Sequence, residues 1–121
     1  MRILIVDDSA VMRKMIRRVV SLAESNVTEM LEAANGVEAL SVLETHDIDV
    51  LFTDINMPVM TGTELLETIA GNARYDKLRR VIISTDGSLS RREQAASLEV
   101  RCYLEKPLSP EVLKDVLTEV V

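Results

Sequence analysis

The sequence predicts an α/β fold in which five parallel strands alternate with five helices, a doubly wound (βα)5 sheet of strand order 2-1-3-4-5. Short apolar runs alternate with stretches whose apolar residues recur at helical spacing, from one end of the chain to the other. The runs assigned to strands one, three and four are continuously apolar, as expected of strands buried on both faces. Strands two and five are mixed in polarity, which is typical of sheet edges. This winding is the flavodoxin-like one.

The first two units begin the alternation. Residues 3–6 predict strand one, and helix one follows Ser9. Its apolar positions at helical spacing are Val11, Met12, Met15, Ile16, Val19 and Val20. The basic residues between them are expected to form a solvated face: Arg13, Lys14, Arg17 and Arg18. Residues 27–33 predict strand two, and Asn35 predicts the N-cap of helix two.

The last three units follow the same pattern. Strands three, four and five are predicted at residues 48–53, 81–83 and 100–105. Helix three is marked by Leu65, Leu66, Ile69 and Ala70. A polar helix four is expected near residues 90–98, and Cys102 is expected at an inward position of strand five. Ser109 and Pro110 form a strong start for helix five, with serine as the cap and proline in the first turn.

Length and composition bound the protein class. A chain of 121 residues is expected to form one domain, residues 1–121, with an aliphatic core because aromatic residues make up 2%. The net charge of −6 disfavours direct binding to nucleic acid. One cysteine and one histidine, His46, exclude a disulfide framework and a multi-cysteine zinc site, and His46 is expected on a helix surface. No apolar run is long enough for membrane insertion and no signal peptide is recognisable, so a cytoplasmic location is expected.

Polar residues follow four of the five predicted strands. They are Asp7 and Asp8 after strand one, Asp54 after strand three, Ser84 and Thr85 after strand four, and Lys106 after strand five. Because the carboxyl ends of parallel strands lie at one edge of a sheet, we expect these side chains to converge there. Each feature alone could be turn or cap chemistry, and their joint placement is what favours a site.

The converging groups predict phosphoryl chemistry. Three carboxylates in a small space repel one another, and a hard divalent cation such as Mg²⁺ relieves that repulsion. A lysine and a hydroxyl beside the cation suit a phosphoryl group. An ionised Asp54 needs no general base to attack phosphorus, so an aspartyl phosphate is the expected product.

The chain resembles a bacterial two-component response regulator receiver domain, and especially the single-domain chemotaxis regulator type. The resemblance covers the whole chain and rests on five segments: Val6-Asp7-Asp8-Ser9 with Met12-Arg13, Asn35-Gly36-Val37-Glu38-Ala39-Leu40, Asp54-Ile55-Asn56-Met57-Pro58-Val59-Met60-Thr61-Gly62, Tyr103, and Lys106-Pro107-Leu108. The turn before strand five, Leu98-Glu99-Val100, departs from the family's small-residue pattern, so the sequence does not predict the residue at which helix four ends.

The resemblance implies a role for each matching residue. Asp54 is implied as the phosphoacceptor. The Mg²⁺ ligands are implied to be Asp7 through water, Asp8, Asp54 and the backbone carbonyl of Asn56. Lys106 is implied to contact a phosphoryl oxygen, and Tyr103 to be an aromatic switch. Asn56 and Asp86 are implied to tune dephosphorylation, and the bond before Pro107 is implied to be a cis-peptide candidate.

The switch hydroxyl has two candidates. The apolar strand ending points to Thr85, whereas the spacings to Asp54 and Lys106 match the chemotaxis-type pattern only with Ser84. Ser84 is chosen, with Thr85 in the usually small position after it. The surface expected to change on phosphorylation lies on helix four, strand five and helix five, with these candidates: Arg91, Arg92, Tyr103 and Lys114.

The expected function is a phosphoacceptor switch rather than an enzyme. Its partners would be a histidine kinase or phosphotransfer protein, and downstream either a protein target or an output domain beyond Val121. The alternative is an aspartate-nucleophile phosphatase or phosphotransferase, which needs an acid two residues after the nucleophile; Asn56 stands there. A flavin or nucleotide carrier is disfavoured because the chain has no glycine-rich phosphate-binding motif.

Overall fold

The computed structural model describes residues 1–23, 26–85, 87–106 and 108–120, and it contains the five strands and five helices that the sequence predicts. The strands are β1 (Arg2–Val6), β2 (Glu29–Ala33), β3 (Val50–Thr53), β4 (Arg79–Ser84) and β5 (Val100–Glu105). The helices are α1 (Ala10–Ala23), α2 (Gly36–Thr45), α3 (Gly62–Ile69), α4 (Leu89–Ser97) and α5 (Pro110–Val120). A short 3-10 helix, Ala73–Tyr75, precedes β4.

The five strands form one parallel sheet in the order β2-β1-β3-β4-β5, which confirms the predicted topology. The central strands β1, β3 and β4 are buried along almost their whole length, as their continuous apolar sequence indicates. The edge strands β2 and β5 are partly exposed. The order places the carboxyl ends of β1, β3 and β4 side by side, where a ligand site is expected.

The core consists of two aliphatic layers, one on each face of the sheet. Leu4, Leu51 and Ile82 pack toward α2, α3 and α4, and the neighbouring residues Ile5 and Phe52 pack toward α1 and α5. Successive strand residues point to opposite faces, so a continuously apolar strand supplies both layers. Each fully buried side chain of this kind contributes about 1.5–3 kcal/mol to folding.

Side-chain caps fix where several helices begin. The Asn35 side chain accepts a hydrogen bond from the Glu38 amide at 2.9 Å, and the Ser109 hydroxyl accepts one from Val112 at 3.2 Å, so both predicted caps are confirmed. Thr61 and Glu64 form a reciprocal capping box that starts α3 at Gly62, before its first predicted apolar residue. His46, expected on a helix surface, is the half-buried C-cap residue of α2.

The turn from α4 into β5 departs from regular geometry. Glu99 has a φ of 62°, a left-handed conformation that glycine adopts more readily. This conformation ends α4, whose last residue the sequence does not predict. In β5, Arg80 pairs with Val100 and Val81 pairs with Cys102, so Arg101 is the extra residue of a β-bulge. The bulge places Val100 and Tyr103 on the same side of the sheet.

Two single-residue expectations for the fold have different outcomes. Cys102 packs toward α1 and α5, as expected of an inward position, although it is only partly buried. Val11, an apolar position of the α1 pattern, is 79% exposed and so does not join the core. Over the described residues, no helix combines the length and apolar character that a membrane crossing requires.

Candidate functional site

Asp54 follows β3 and is held in place mainly through its backbone. Its amide donates to the carbonyl of Val6 at 3.0 Å, and its own carboxylate Oδ1 accepts from the Ile55 amide at 2.7 Å. A side chain on Gly62 would collide with the Asp54 carbonyl, so the chain after β3 can turn back this closely only with glycine there. The Asp54 residue is 7% exposed, which leaves a narrow approach to its carboxylate.

Asp7 and Asp8 come from the end of β1, next to Asp54. The Asp7 amide donates to the Ala33 carbonyl at 3.1 Å, and the Asp7 carboxylate accepts from the Ser9 amide at 2.9 Å. Asp7 is 1% exposed and Asp8 is exposed. One carboxylate of the pair is therefore fixed inside the site while the other lines its entrance.

The structure brings the three predicted carboxylates together. One oxygen atom from each of Asp7, Asp8 and Asp54 lies within 4.8 Å of the others. Hard oxygen donors from a few carboxylates are what Mg²⁺ takes in proteins, usually with several waters and a phosphate oxygen. Because the chain supplies three such carboxylates, each repelling the others, the residues present fit a magnesium ion.

Lys106 supplies the cation that balances this acidic group. Its Nζ donates to Asp7 Oδ2 at 2.8 Å and to Asp54 Oδ2 at 3.0 Å. Burial by itself would lower the pKa of the Lys106 ammonium, but the hydrogen bonds to Asp7 and Asp54 and their negative charges outweigh burial and raise that pKa. The ammonium therefore stays charged at neutral pH.

The two candidate switch hydroxyls differ in burial. Ser84, the last residue of β4, is fully buried, and its carbonyl accepts from the Lys106 amide at 2.8 Å. Thr85 is exposed. Ser84 thus lies inside the sheet edge beside Lys106, the residue that follows β5, and its role as the switch hydroxyl stays a prediction.

Tyr103 is half-buried on the α4 side of β5. The alternation in the sequence groups it with Arg101 and Glu105, both of which are exposed. The bulge at Arg101 removes Arg101 from that grouping, while Tyr103 and Glu105 stay on one side of β5. The Tyr103 ring packs against the core with the guanidinium of Arg92 over it, 4.8 Å from the ring centroid.

The remaining predicted site residues are less informative. Asn56 is exposed two residues after Asp54. Asp86, a predicted tuning residue, and Pro107, the cis-peptide candidate, lie outside the described residues.

Arg13 is a supporting residue of the site that the sequence interpretation missed. Its Nη1 donates to the Asp7 carbonyl at 2.6 Å, and its Nε pairs with Glu32 on β2 at 2.9 Å. Its side chain is only 18% exposed, so the expectation that it belongs to a solvated face is wrong. Lys14, Arg17 and Arg18 are exposed, as expected. Arg13 and Arg17 both reach Glu32 on β2, but only Arg13 also donates to the Asp7 carbonyl, a contact that helical spacing alone does not assign.

Comparison with known proteins gives concordant matches along nearly the whole chain. A family model described as "Response regulator receiver domain" matches residues 3–118. The chain is 36% identical to a Campylobacter jejuni "Chemotaxis protein CheY homolog", with 100% of this chain and 92% of that protein covered. It is also 36% identical to the Helicobacter pylori "Chemotaxis protein CheY1", with 100% and 97% covered. Among solved structures, the chemotaxis response regulator CheY4 of Vibrio cholerae matches with a TM-score of 0.88 and 31% identity, covering 99% of this chain and 98% of that one.

Proposed function

This chain belongs to the response regulator receiver domain family, whose members are phosphoacceptor signalling modules, and from that premise we propose a specific chemistry for its site. In the proposed reaction, Asp54 accepts a phosphoryl group from a histidine kinase or phosphotransfer protein. The observation that carries the proposal is the Lys106 ammonium bridging the Asp7 and Asp54 carboxylates beside Asp8.

The Asp54 carboxylate acts as the nucleophile. A carboxylate oxygen bonds to phosphorus, the bond between phosphorus and the donor nitrogen or oxygen breaks, and the leaving group departs with the electron pair. Lys106 then pairs with a phosphoryl oxygen in place of the free carboxylate. The backbone hydrogen bonds of Asp54 hold the nucleophile in one position throughout.

Asp7, Asp8 and Asp54, with the backbone carbonyl of Asn56, are the proposed ligands of a magnesium ion. When bound, Mg²⁺ would supply positive charge that offsets the carboxylates and the incoming phosphoryl oxygens. Asp7 and Asp8 contribute negative charge next to Asp54, and the Lys106 ammonium pairs with the Asp7 carboxylate. Asn56 is an amide, so the position two residues after the nucleophile carries no acid, and the phosphatase alternative is not favoured.

We infer that the output is a change in the surface of α4, β5 and α5. Ser84 is buried at the end of β4, and moving its hydroxyl toward a phosphoryl group on Asp54 would open space that the Tyr103 ring could enter. A downstream protein target, or an output domain beyond Val121, would then read that surface. The proposed place of action is the cytoplasm, and the chemotaxis relatives suggest a motility-related partner.

The direct test is labelling with acetyl phosphate, followed by intact mass measurement. Wild type should gain one phosphoryl group in the presence of MgCl2 and lose that gain in EDTA. Asp54→Asn should remain unlabelled, and Asp115→Asn, which changes an exposed carboxylate on α5, should label like wild type. Labelling of Asp54→Asn at the wild-type rate would overturn the phosphoacceptor assignment.

The switch hydroxyl is tested separately with a matched pair of variants. Beryllofluoride stands in for the phosphoryl group, and the Tyr103 ring signals are followed by NMR. Ser84→Ala should bind beryllofluoride without the wild-type change at Tyr103, while Thr85→Ala should keep that change. The opposite pattern would make Thr85 the switch hydroxyl.

A further inference from the structure

Arg92 makes a set of contacts that the phosphoacceptor site itself does not need. Its Nε donates to the Gly87 carbonyl at 3.2 Å, its Nη1 to the Tyr103 carbonyl at 3.3 Å, and its Nη2 to Glu105 Oε1 at 2.8 Å. The guanidinium also covers the Tyr103 ring, with 4.8 Å between its central carbon and the ring centroid. We call these four residues, Arg92, Gly87, Tyr103 and Glu105, the Arg92 cluster.

The Arg92 cluster joins the two strands from which the predicted switch residues come. Gly87 lies three residues after Ser84, in the connection from β4 to α4, and Tyr103 lies three residues before Lys106 on β5. A side chain at Gly87 would collide with the Glu105 carboxylate, so glycine there lets Glu105 approach the connection and Arg92. One side chain from α4 therefore ties the end of β4 to the ring on β5.

We propose that Arg92 is a positioning residue that holds the Tyr103 ring in place while Asp54 is unmodified, and so sets how readily phosphorylation changes the α4–β5 surface. This inference rests on the proposed function. A ring that leaves its present place must give up the cation–π contact, because the guanidinium is anchored on three other acceptors. Lysine could not reproduce the arrangement, since a single ammonium lacks the planar fork that donates to three oxygens and stacks on a ring.

The expected size of the effect follows from contacts that are partly exposed. Arg92 and Glu105 have side-chain exposures of 40% and 54%, which makes their ion pair weak, while the stacking adds a modest attraction. Together they correspond to a factor of about five in the equilibrium between the present position of the Tyr103 ring and the position that it takes when Asp54 is modified. Beryllofluoride favours the ring position of the modified state, so its binding free energy must offset the stabilisation that the Arg92 cluster gives to the present position. Loss of the cluster should therefore tighten beryllofluoride binding by about fivefold.

The experiment uses the full chain labelled with ¹³C in its tyrosine rings. The sequence has two tyrosines and no tryptophan, so Tyr75 serves as an internal reference for Tyr103. Arg92→Gln removes the fork and the charge, and Gly87→Ala displaces Glu105 from the other side without changing α4. Arg101→Gln, which removes an exposed arginine from the same strand, is the matched control.

In Arg92→Gln and Gly87→Ala, the Tyr103 signal should move toward its beryllofluoride-bound position before any beryllofluoride is added. The dissociation constant for beryllofluoride with MgCl2 should fall about fivefold in Arg92→Gln, less in Arg92→Lys, and stay unchanged in Arg101→Gln. The Tyr75 signal should not move.

The proposal is overturned if the Tyr103 signal without beryllofluoride is the same in wild type, Arg92→Gln and Gly87→Ala. It is also overturned if Arg101→Gln changes that signal as much as Arg92→Gln does. Failure of wild type to respond to beryllofluoride would instead refute the proposed function, and the measurement without beryllofluoride would still decide the role of Arg92.

Discussion

Replacing Lys106 by methionine removes one ammonium and leaves two buried carboxylates facing each other. Methionine keeps most of the aliphatic length of lysine, so the perturbation is mainly electrostatic. The side chains of Asp7 and Asp54 are 2% and 9% exposed, and Lys106 Nζ lies 2.8 and 3.0 Å from them. Water therefore cannot easily replace the lost partner.

The magnitude follows from those two contacts. A hydrogen bond between charged groups contributes about 1.5–3 kcal/mol, and two would give about 3–6 kcal/mol. Removing the ammonium also removes the cost of burying it, since the Lys106 side chain is 12% exposed. We expect the free energy of unfolding to fall by about 3 kcal/mol in Lys106→Met without metal at neutral pH.

The assay is urea unfolding of wild type, Lys106→Met and the control Lys114→Met, in EDTA and in MgCl2. Lys114 is exposed on α5, so its replacement should change the free energy of unfolding by less than about 0.5 kcal/mol. Because a divalent cation would offset the orphaned carboxylates, MgCl2 should stabilise Lys106→Met more than it stabilises wild type. A loss in Lys106→Met no larger than that of the control would refute the reasoning, as would equal stabilisation of wild type and variant by MgCl2.

We also predict how the stability difference between wild type and Lys106→Met depends on pH. The pKa of Lys106 is raised in the folded state above its ordinary value of 10.5. A group with a raised folded pKa stabilises fully below its unfolded pKa and loses that contribution as the pH rises through the folded pKa. The stability difference between wild type and Lys106→Met should therefore be constant from about pH 7 to 9 and narrow only above about pH 10.5.

Three further predictions concern the surroundings of the site. Asp8→Ala should raise the thermal midpoint of the metal-free protein by about 2 °C, because one of three repelling carboxylates is gone; an unchanged or lower midpoint would argue against strain in the cluster. Arg13→Ala should lower the free energy of unfolding by about 1–2 kcal/mol, since it loses its bonds to the Asp7 carbonyl and to Glu32; urea unfolding beside Arg13→Lys tests this, and wild-type stability in both variants would contradict it. The pKa of Cys102 is raised by burial and then by a nearby carboxylate, so iodoacetamide at pH 8 should react about tenfold more slowly with folded than with urea-unfolded protein; equal rates would show that the thiol is not protected.

The convergence of the site could be predicted because it depends on topology alone. Asp8, Asp54 and Lys106 each follow a strand, and parallel strands place their ends together whatever the details of packing. The caps at Asn35 and Ser109 could also be predicted from the sequence, since a cap is a local interaction within a few residues.

The parts that escaped prediction depend on side-chain direction and on local irregularity. Arg13 has the same spacing as its exposed neighbours, and only its contact with the Asp7 carbonyl makes it a supporting residue of the site. Because of the bulge at Arg101, Val100 faces the same side of β5 as Tyr103. An alternating sequence contains no signal for the extra residue of a bulge. The left-handed Glu99 could not be foreseen either, because the usual marker of that conformation is glycine.

The distance along the chain between the partners of the Lys106–Asp7 pair has a consequence for biosynthesis. The two residues are 99 positions apart, and Lys106 directly follows β5, the last strand of the sheet to be translated. A nascent chain that has made β1, β3 and β4 already carries all three carboxylates but lacks the cation that completes the site. Under the proposed function, the site is thus completed late, when β5 docks on β4, and a partly synthesised chain still lacks the ammonium proposed to pair with the phosphoryl group.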